Sequence, residues 1–122
     1  MSGALVKIEE DSGFIYVNEF TSLSNSRQSL TVVGGLNALE LTFFPTASAS
    51  IYDVMDVVLN AVSDSDADTK LATVGARYVV PAGKTLRQIV PSGGTLISRI
   101  DVKLRSAASG TNLVVVYGKS PT

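Results

Sequence analysis

Turn-forming residues recur along this chain at short, nearly even intervals, and that spacing limits what it can fold into. They fall at DSG (11–13), SNS (24–26), VGGLN (33–37), PTASAS (45–50), SDSD (63–66), PAGK (81–84), PSGG (91–94) and SAASG (106–110). Each cluster draws on Gly, Pro, Asn, Asp or Ser, which supply the dihedrals and local hydrogen bonds that turns require. Between them lie short runs rich in Val, Ile, Leu, Phe and Tyr, which suit a pleated, half-buried surface. Strands punctuated this regularly predict an all-β chain, an antiparallel β-sandwich or small barrel, with a jelly-roll order of strands as one arrangement. The expected strands lie near 4–9, 14–20, 29–33, 38–44, 53–62, 67–73, 77–80, 85–90, 95–104 and 112–118. No fixed-period repeat or linker tract interrupts the 122 residues, so one β-sandwich domain over 1–122 is expected.

Alternation supports several of these strands. In TLISRIDVKL, Leu96, Ser98, Ile100, Val102 and Leu104 fall on one face, and Thr95, Ile97, Arg99, Asp101 and Lys103 on the other. A period of two gives a strand one buried and one wet side. NLVVVYG does not alternate and is expected to be covered on both sides. One segment conflicts with the all-β reading. In SIYDVMDVVLNAVSD, Ile51, Val54, Met55, Val58, Leu59 and Val62 recur at helical spacing, with Ser50 placed to cap. The β-branched Ile51, Val54, Val57, Val58 and Val62 favour a strand instead. At most one short helix, near 51–62, is therefore allowed for.

The composition removes several function classes. Apolar residues make up 45% and charged residues 17%, which argues against a disordered chain. Neither Cys nor His is present. There is then no disulfide framework or thiolate metal site, and the commonest general base and metal ligand are missing. No window approaches 18 consecutive apolar residues, so no membrane-spanning helix or membrane partner is expected. MSGALVKIEEDSG has no apolar core of a signal peptide, which suits a product that stays where it is made or leaves by lysis.

Net charge is −1, but it is unevenly spread. Residues 1–68 hold ten acids against Lys7 and Arg27, a balance of −8. Residues 69–122 hold eight bases against Asp101, a balance of +7. Such a split can mark a nucleic-acid surface, acidic-to-basic packing between copies, or strands from both halves interleaving so that the charges mix. The third is the expectation. Aromatic residues are too sparse among the bases for a stacking platform, so no nucleic-acid partner is expected.

Five features could carry chemistry. SDSDADTK (63–70) spaces Asp64, Asp66 and Asp68 like the start of a calcium loop, but Thr69 and Gly75 stand where that loop needs Gly and Glu. It reads as a polar turn between strands. AGKT (82–85) imitates the end of a phosphate loop, but Tyr78 stands where the first Gly belongs. A hairpin is expected, with Pro81 fixing φ and Gly83 free to take positive φ. A Ser–Lys pair using Lys84 or Lys103 has no partner that sequence can place. Glu9 and Glu10 point to opposite faces of a strand and make a poor carboxylate pair. Tyr16, Phe20, Phe43, Phe44, Tyr52, Tyr78 and Tyr117 could floor a sugar site, but scattered singly they read as core or rim residues. No residue is assigned a catalytic, cofactor-binding or metal role, and no cofactor or enzymatic activity is expected.

IYDVMDVVLNAVSDSDADTKLATVGARYVVPAGKTLRQIV, followed by TLISRIDVKLRSAASGTNLVVVYG, resembles small β-sandwich structural proteins of tailed-bacteriophage virions. The resemblance covers residues 51–118. It rests on an Asn-containing VVLNAVSDSDA hairpin, a YVVPAGKTL strand–turn–strand and a late strand leading through a Ser/Gly turn to a valine-rich one. It also tips 51–62 towards a strand. That pattern has no Arg at the position of Arg99, and no functional residue is carried across. The resemblance implies a structural role in a virion, assembled in host bacterial cytoplasm. A capsid decoration (cement) protein comes first, and a neck, tail or fibre component or a receptor- or glycan-binding module second. Implied partners are other copies of the chain, as trimer or dimer, and virion proteins such as a major capsid protein.

Overall fold

The computed structural model describes residues 13–44, 53–80, 86–105 and 113–119. Among these the order is β1 (Phe14–Phe20), β2 (Gln28–Leu36), β3 (Ala38–Phe44), β4 (Asp53–Leu59), α1 (Asp64–Thr73), β5 (Ala76–Val80), β6 (Leu86–Pro91), β7 (Ile97–Leu104) and β8 (Leu113–Lys119). The expected strand near 4–9, the PTASAS turn, the PAGK hairpin and the SAASG turn lie outside the described residues.

Two antiparallel four-stranded sheets form, in the orders β1-β8-β3-β6 (the first sheet) and β2-β7-β4-β5 (the second). Successive strands alternate between sheets except at β4 and β5, which pair within the second. This alternation in two four-stranded sheets is the jelly-roll form of the β-sandwich. Inward residues of both sheets share one core. Phe20, Leu39, Leu41, Phe43, Val90, Val114 and Val116 come from the first, and Val32, Met55, Val57, Val80, Ile100, Val102 and Leu104 from the second. Each fully buried Leu, Ile or Phe side chain contributes about 1.5–3 kcal/mol of transfer free energy.

Residues 53–59 form a strand, as the β-branched content favoured. The helical periodicity there is an accident of burial on both sides. Met55 and Val57 face the main core, while Asp56 and Val58 are buried on the outward side. Among the described residues the helix lies later, at Asp64–Thr73, where a polar turn and a strand over 67–73 were expected. SDSD is a helix start. Ser63 caps, its Oγ accepting from the Asp66 N–H at 3.1 Å, and Asp66 reaches back to the Val62 N–H at 2.9 Å. These bonds satisfy donors that a helix N-terminus leaves open, and Asp64 and Asp66 lie on the favourable side of its dipole.

The β7 alternation also needs correction at one end. Ile97 is fully buried, while Leu96 and Ser98 are exposed. Ile97 and Ile100 therefore both point inward although three residues apart, which requires an extra residue in the strand. Asn60 stabilises this irregularity. Its Oδ1 accepts from the N–H of Ser98 at 2.8 Å and of Arg99 at 3.3 Å, and its Nδ2 donates to the Leu96 carbonyl at 3.0 Å. Asn60 has φ of 58°, a left-handed conformation that Asn tolerates better than most residues.

The passage between sheets is equally tight. Leu36 pairs with Ile97 in the second sheet and Ala38 with Lys119 in the first, so Asn37 alone separates the two. Gly35 makes this bend with φ of 74°, and a Cβ there would lie 2.9 Å from the Leu96 Cβ. Gly35→Ala combines left-handed strain with that overlap. It should lower stability by about 2–3 kcal/mol, read as a drop in the urea midpoint with an unchanged m-value.

Candidate interaction surface

The outward faces of the two sheets differ in chemistry. On the second sheet α1 covers the middle. Ala67 and Leu71 pack on Val58 and Ala61, forming a small apolar cluster separate from the main core. Beside it lies Asp101, with no exposure to solvent. Its neighbours across the sheet are Ser29 of β2 and Val58 of β4. Arg99 Nε donates to Asp101 Oδ1 at 2.7 Å and Arg99 Nη2 to Oδ2 at 2.9 Å. Arg27 Nη1 donates to Oδ2 at 3.2 Å, and the Ser29 hydroxyl also donates to it. The same arginines reach α1. Arg99 Nη2 donates to Asp64 at 2.7 Å, and Arg27 Nε to Asp68 at 2.7 Å.

Magnitudes separate these contacts. Asp64 and Asp68 are largely exposed, and pairs of that kind contribute about 0–1 kcal/mol each. Asp101 is different, because removing one partner of a buried, hydrogen-bonded charge costs about 3–5 kcal/mol. Burial alone would raise its carboxyl pKa. The hydrogen bonds from Arg99, Ser29 and Arg27 outweigh that and hold it below the ordinary carboxylate range. Arg99 is held correspondingly high by its bonds to Asp101 and Asp64.

A second buried carboxylate, Asp56, lies on the same face, cross-paired with Arg77 and Lys103. Arg105 grips it with two bonds, 3.0 and 3.2 Å, and Arg77 lies 3.7 Å away. With Leu71, Ala72 and Lys103 these residues line an open groove of about 410 Å³. A second groove, about 480 Å³ and mainly apolar, includes Val57 and Tyr78 of one sheet, Val90 and Pro91 of the other, and Val74 after α1.

The first sheet's outward face has no element over it among the described residues. Its rows follow from the strand register. Phe14, Lys119, Ala38 and Pro91 form one row, and Tyr16, Tyr117, Glu40 and Ile89 the next. Glu19, Val115, Thr42 and Arg87 form a third, followed by Leu113 beside Phe44. Tyr16 is 52% exposed, Ile89 44% and Phe44 41%. Glu40 is nearly buried among them and forms an ion pair with Arg87, 3.0 Å away. The Tyr16 and Tyr117 rings meet edge to face, 6.4 Å apart, and the Tyr16 hydroxyl donates to Glu19 at 3.1 Å. A register shift between Tyr16 and Asn18 puts Tyr16 and Glu19 on the same side.

The residues singled out from sequence are thus dispersed. Asp64, Asp66 and Asp68 belong to α1 and its clamp. Lys103 lines the basic groove. Phe20 and Phe43 are core, Tyr78 is half-buried, and Tyr16, Tyr117 and Phe44 share the outward face of the first sheet. Glu9, Glu10, Tyr52, Pro81, Gly83 and Lys84 lie outside the described residues. Among the described residues no group of three or more acidic side chains is placed to hold a metal ion. No helix among them is long and apolar enough to cross a membrane. The charge split resolves as mixing. Lys70, Arg77, Arg87, Arg99 and Arg105 of the basic half pair with Asp66, Asp56, Glu40, Asp64 and Asp56 of the acidic half. Sequence reading missed the Arg27–Ser29–Arg99–Asp101 node. Its signal was Arg99 and Asp101 on one face of a strand, two positions apart.

No protein-family model matches the sequence, and no curated protein does. Among solved structures, the chain is similar to a chain of Desmodium yellow mottle tymovirus. The TM-score is 0.50 at 16% identity, over 86% of this chain and 85% of that one. The likeness is one of fold, a β-sandwich found in a virus. It lies with a tymovirus, whereas the sequence pointed to tailed bacteriophages.

Asp101→Asn should lower stability by about 3 kcal/mol at pH 7, because two arginines lose a buried counter-charge. Asp64→Asn should cost under about 1 kcal/mol. The folded-state carboxyl of Asp101 titrates below its unfolded value, so its contribution is complete above the ordinary carboxylate range and fades as pH falls through and below it. Denaturant midpoints at pH 7, 5, 4 and 3 should therefore fall less steeply for Asp101→Asn than for the wild-type chain.

Proposed function

We propose that this chain is a non-enzymatic structural protein of a virus particle, folding as one sandwich domain over 1–122 and assembling with copies of itself. Within that class we propose a capsid decoration protein of a tailed bacteriophage, made in the host cytoplasm and bound to a major capsid protein. The observation that carries the reading is the two-sheet sandwich, whose fold is similar over most of both chains to that of a protein from a virus. The finer assignment is supported by the likeness of residues 51–118 to small virion sandwiches of tailed phages. The use of charge agrees with a building role. The described arginines and buried carboxylates are tied to one another, holding α1 and the sheet edges in place. A catalyst would aim some of them at a shared point where a substrate could sit.

The test is quantitative mass spectrometry of gradient-purified particles from a lysate in which the chain is produced. The expected result is its presence at tens to hundreds of copies per particle, removed together with the shell and not with detached tails. Abundant chain in the lysate and none in the particle fraction would overturn the proposal. Recovery with tails alone would retain a virion role and reject decoration of the capsid.

A further inference from the structure

We propose that the groove beside Asp56 is a docking site for an acidic segment of a partner protein, whose carboxylates meet Lys103 and Arg77. The inference goes beyond the reading above and does not depend on which particle the chain joins.

The outward face of the second sheet holds two buried carboxylates, and their surroundings differ. At Asp101, Arg99 and Arg27 bind the carboxylate and also reach Asp64 and Asp68 on α1. Three carboxylates meet two guanidiniums there. At Asp56 the balance is reversed. Arg105 answers its charge with two bonds and has further contacts of its own. Arg77 pairs with it only at 3.7 Å, and its side chain is 49% exposed. Lys103 is half-buried, and among the described residues no carboxylate lies within ion-pair distance of it. It is the exception on a face that otherwise uses its charges internally.

The strand register fixes the spacing of these cations. Lys103 of β7 and Arg77 of β5 flank Asp56 of β4 in one cross-strand row. Two strand spacings, about 10 Å, separate them. Both line the open groove of about 410 Å³. That volume falls in the range of sites that take a small ligand or a few side chains.

α1 does not supply the missing counter-charge. Its acids, Asp64, Asp66 and Asp68, all fall in its first half, and residues 69–73 carry none. The helix sends Leu71 and Ala72 to the groove instead. Its C-terminal end contributes about half a negative charge, less than the two cations carry. A positive surplus therefore remains beside a buried carboxylate.

The Asp101 clamp shows, within the same molecule, what complements such a pair. It is two carboxylates on one segment, Asp64 and Asp68, about 6 Å apart along a helix. Carboxylates also suit the Asp56 groove better than phosphate does. A phosphate carries about twice the charge of a carboxylate and is repelled more strongly by Asp56. A nucleic-acid backbone needs a continuing track of bases, whereas the adjoining helix presents Asp64 and Asp68, 74% and 63% exposed. A short acidic peptide segment meets neither obstacle.

The experiment is an NMR titration of the isotope-labelled full chain with acetylated hexaglutamate, with hexaglutamine and inorganic phosphate as parallel arms. In about 20 mM salt, hexaglutamate should shift the amides of Asp56, Leu71, Ala72, Arg77 and Lys103, with a Kd on the order of 1 mM or tighter. Raising the salt to about 300 mM should weaken binding at least about fivefold. Lys103→Gln should weaken it at least about threefold, and Lys119→Gln, on the other sheet, should leave it unchanged. Arg77→Gln, at an exposed position, is a second variant with the same expected loss, and the amide spectrum of each variant confirms its folding. No shift at the groove by about 5 mM peptide overturns the proposal. So do equal shifts with hexaglutamine, or equal weakening by Lys103→Gln and Lys119→Gln. Tighter binding of phosphate at the same residues overturns it in favour of a phosphate site. If hexaglutamate fails to bind while the chain is found in purified particles, the virion role stands and this site falls. If it binds and the particles lack the chain, the site stands and the virion role falls.

Discussion

Asp101 keeps its charge without reaching solvent because Arg99, Ser29 and Arg27 all donate to it from neighbouring strands and the approach to β2. Much of the remaining architecture depends on that arrangement. The two guanidiniums cannot leave the carboxylate without stranding it, so their nitrogens are fixed in space. Asp64 and Asp68, one turn apart on α1, meet those nitrogens. The helix contributes only two buried residues, Ala67 and Leu71. Its position owes as much to the fixed arginines as to its apolar contact. Asn60 acts on the same stretch of β7 from the other side, holding the extra residue that turns Arg99 and Asp101 outward.

This division gives the two sheets different outward faces. The second carries its own cover and uses its charges internally. The first carries no cover among the described residues and keeps its aromatic and aliphatic groups in a continuous patch around one buried carboxylate, Glu40. Mixing of the acidic and basic halves within the chain bears on assembly. Charge pairing that holds one molecule together is not available to attract another.

How much of this could be read from residues follows from where burial is one-sided. β1, β3, β6 and β8 were legible because their inward positions are apolar and their ends are marked by Gly, Pro, Asn or Ser. β4 was ambiguous because both its faces are buried, and a strand apolar on both sides mimics helical spacing. α1 was misread for the opposite reason. It is short and polar, with one large apolar residue, so periodicity had nothing to register. Its signature was the spacing of Ser63 and Asp66, a capping pair that also looks like a turn. The register irregularity in β7 had no local signal at all, since it is imposed by Asn60, 38 residues away. The jelly-roll order depends on pairings between distant strands and could be placed only among the options. The outward face of the first sheet was hidden because its residues come from four strands, each of which looks ordinary alone.

Native-state hydrogen exchange of the wild-type chain and of Asp101→Asn tests the central claim most directly, because it reads α1 and both sheets of the same molecule at once. With the carboxylate neutralised, the amides of α1 (Asp64–Thr73) should lose more protection than those of β3 and β8 in the first sheet. An equal loss in every element, or unchanged protection of α1 in the folded variant, would contradict the account.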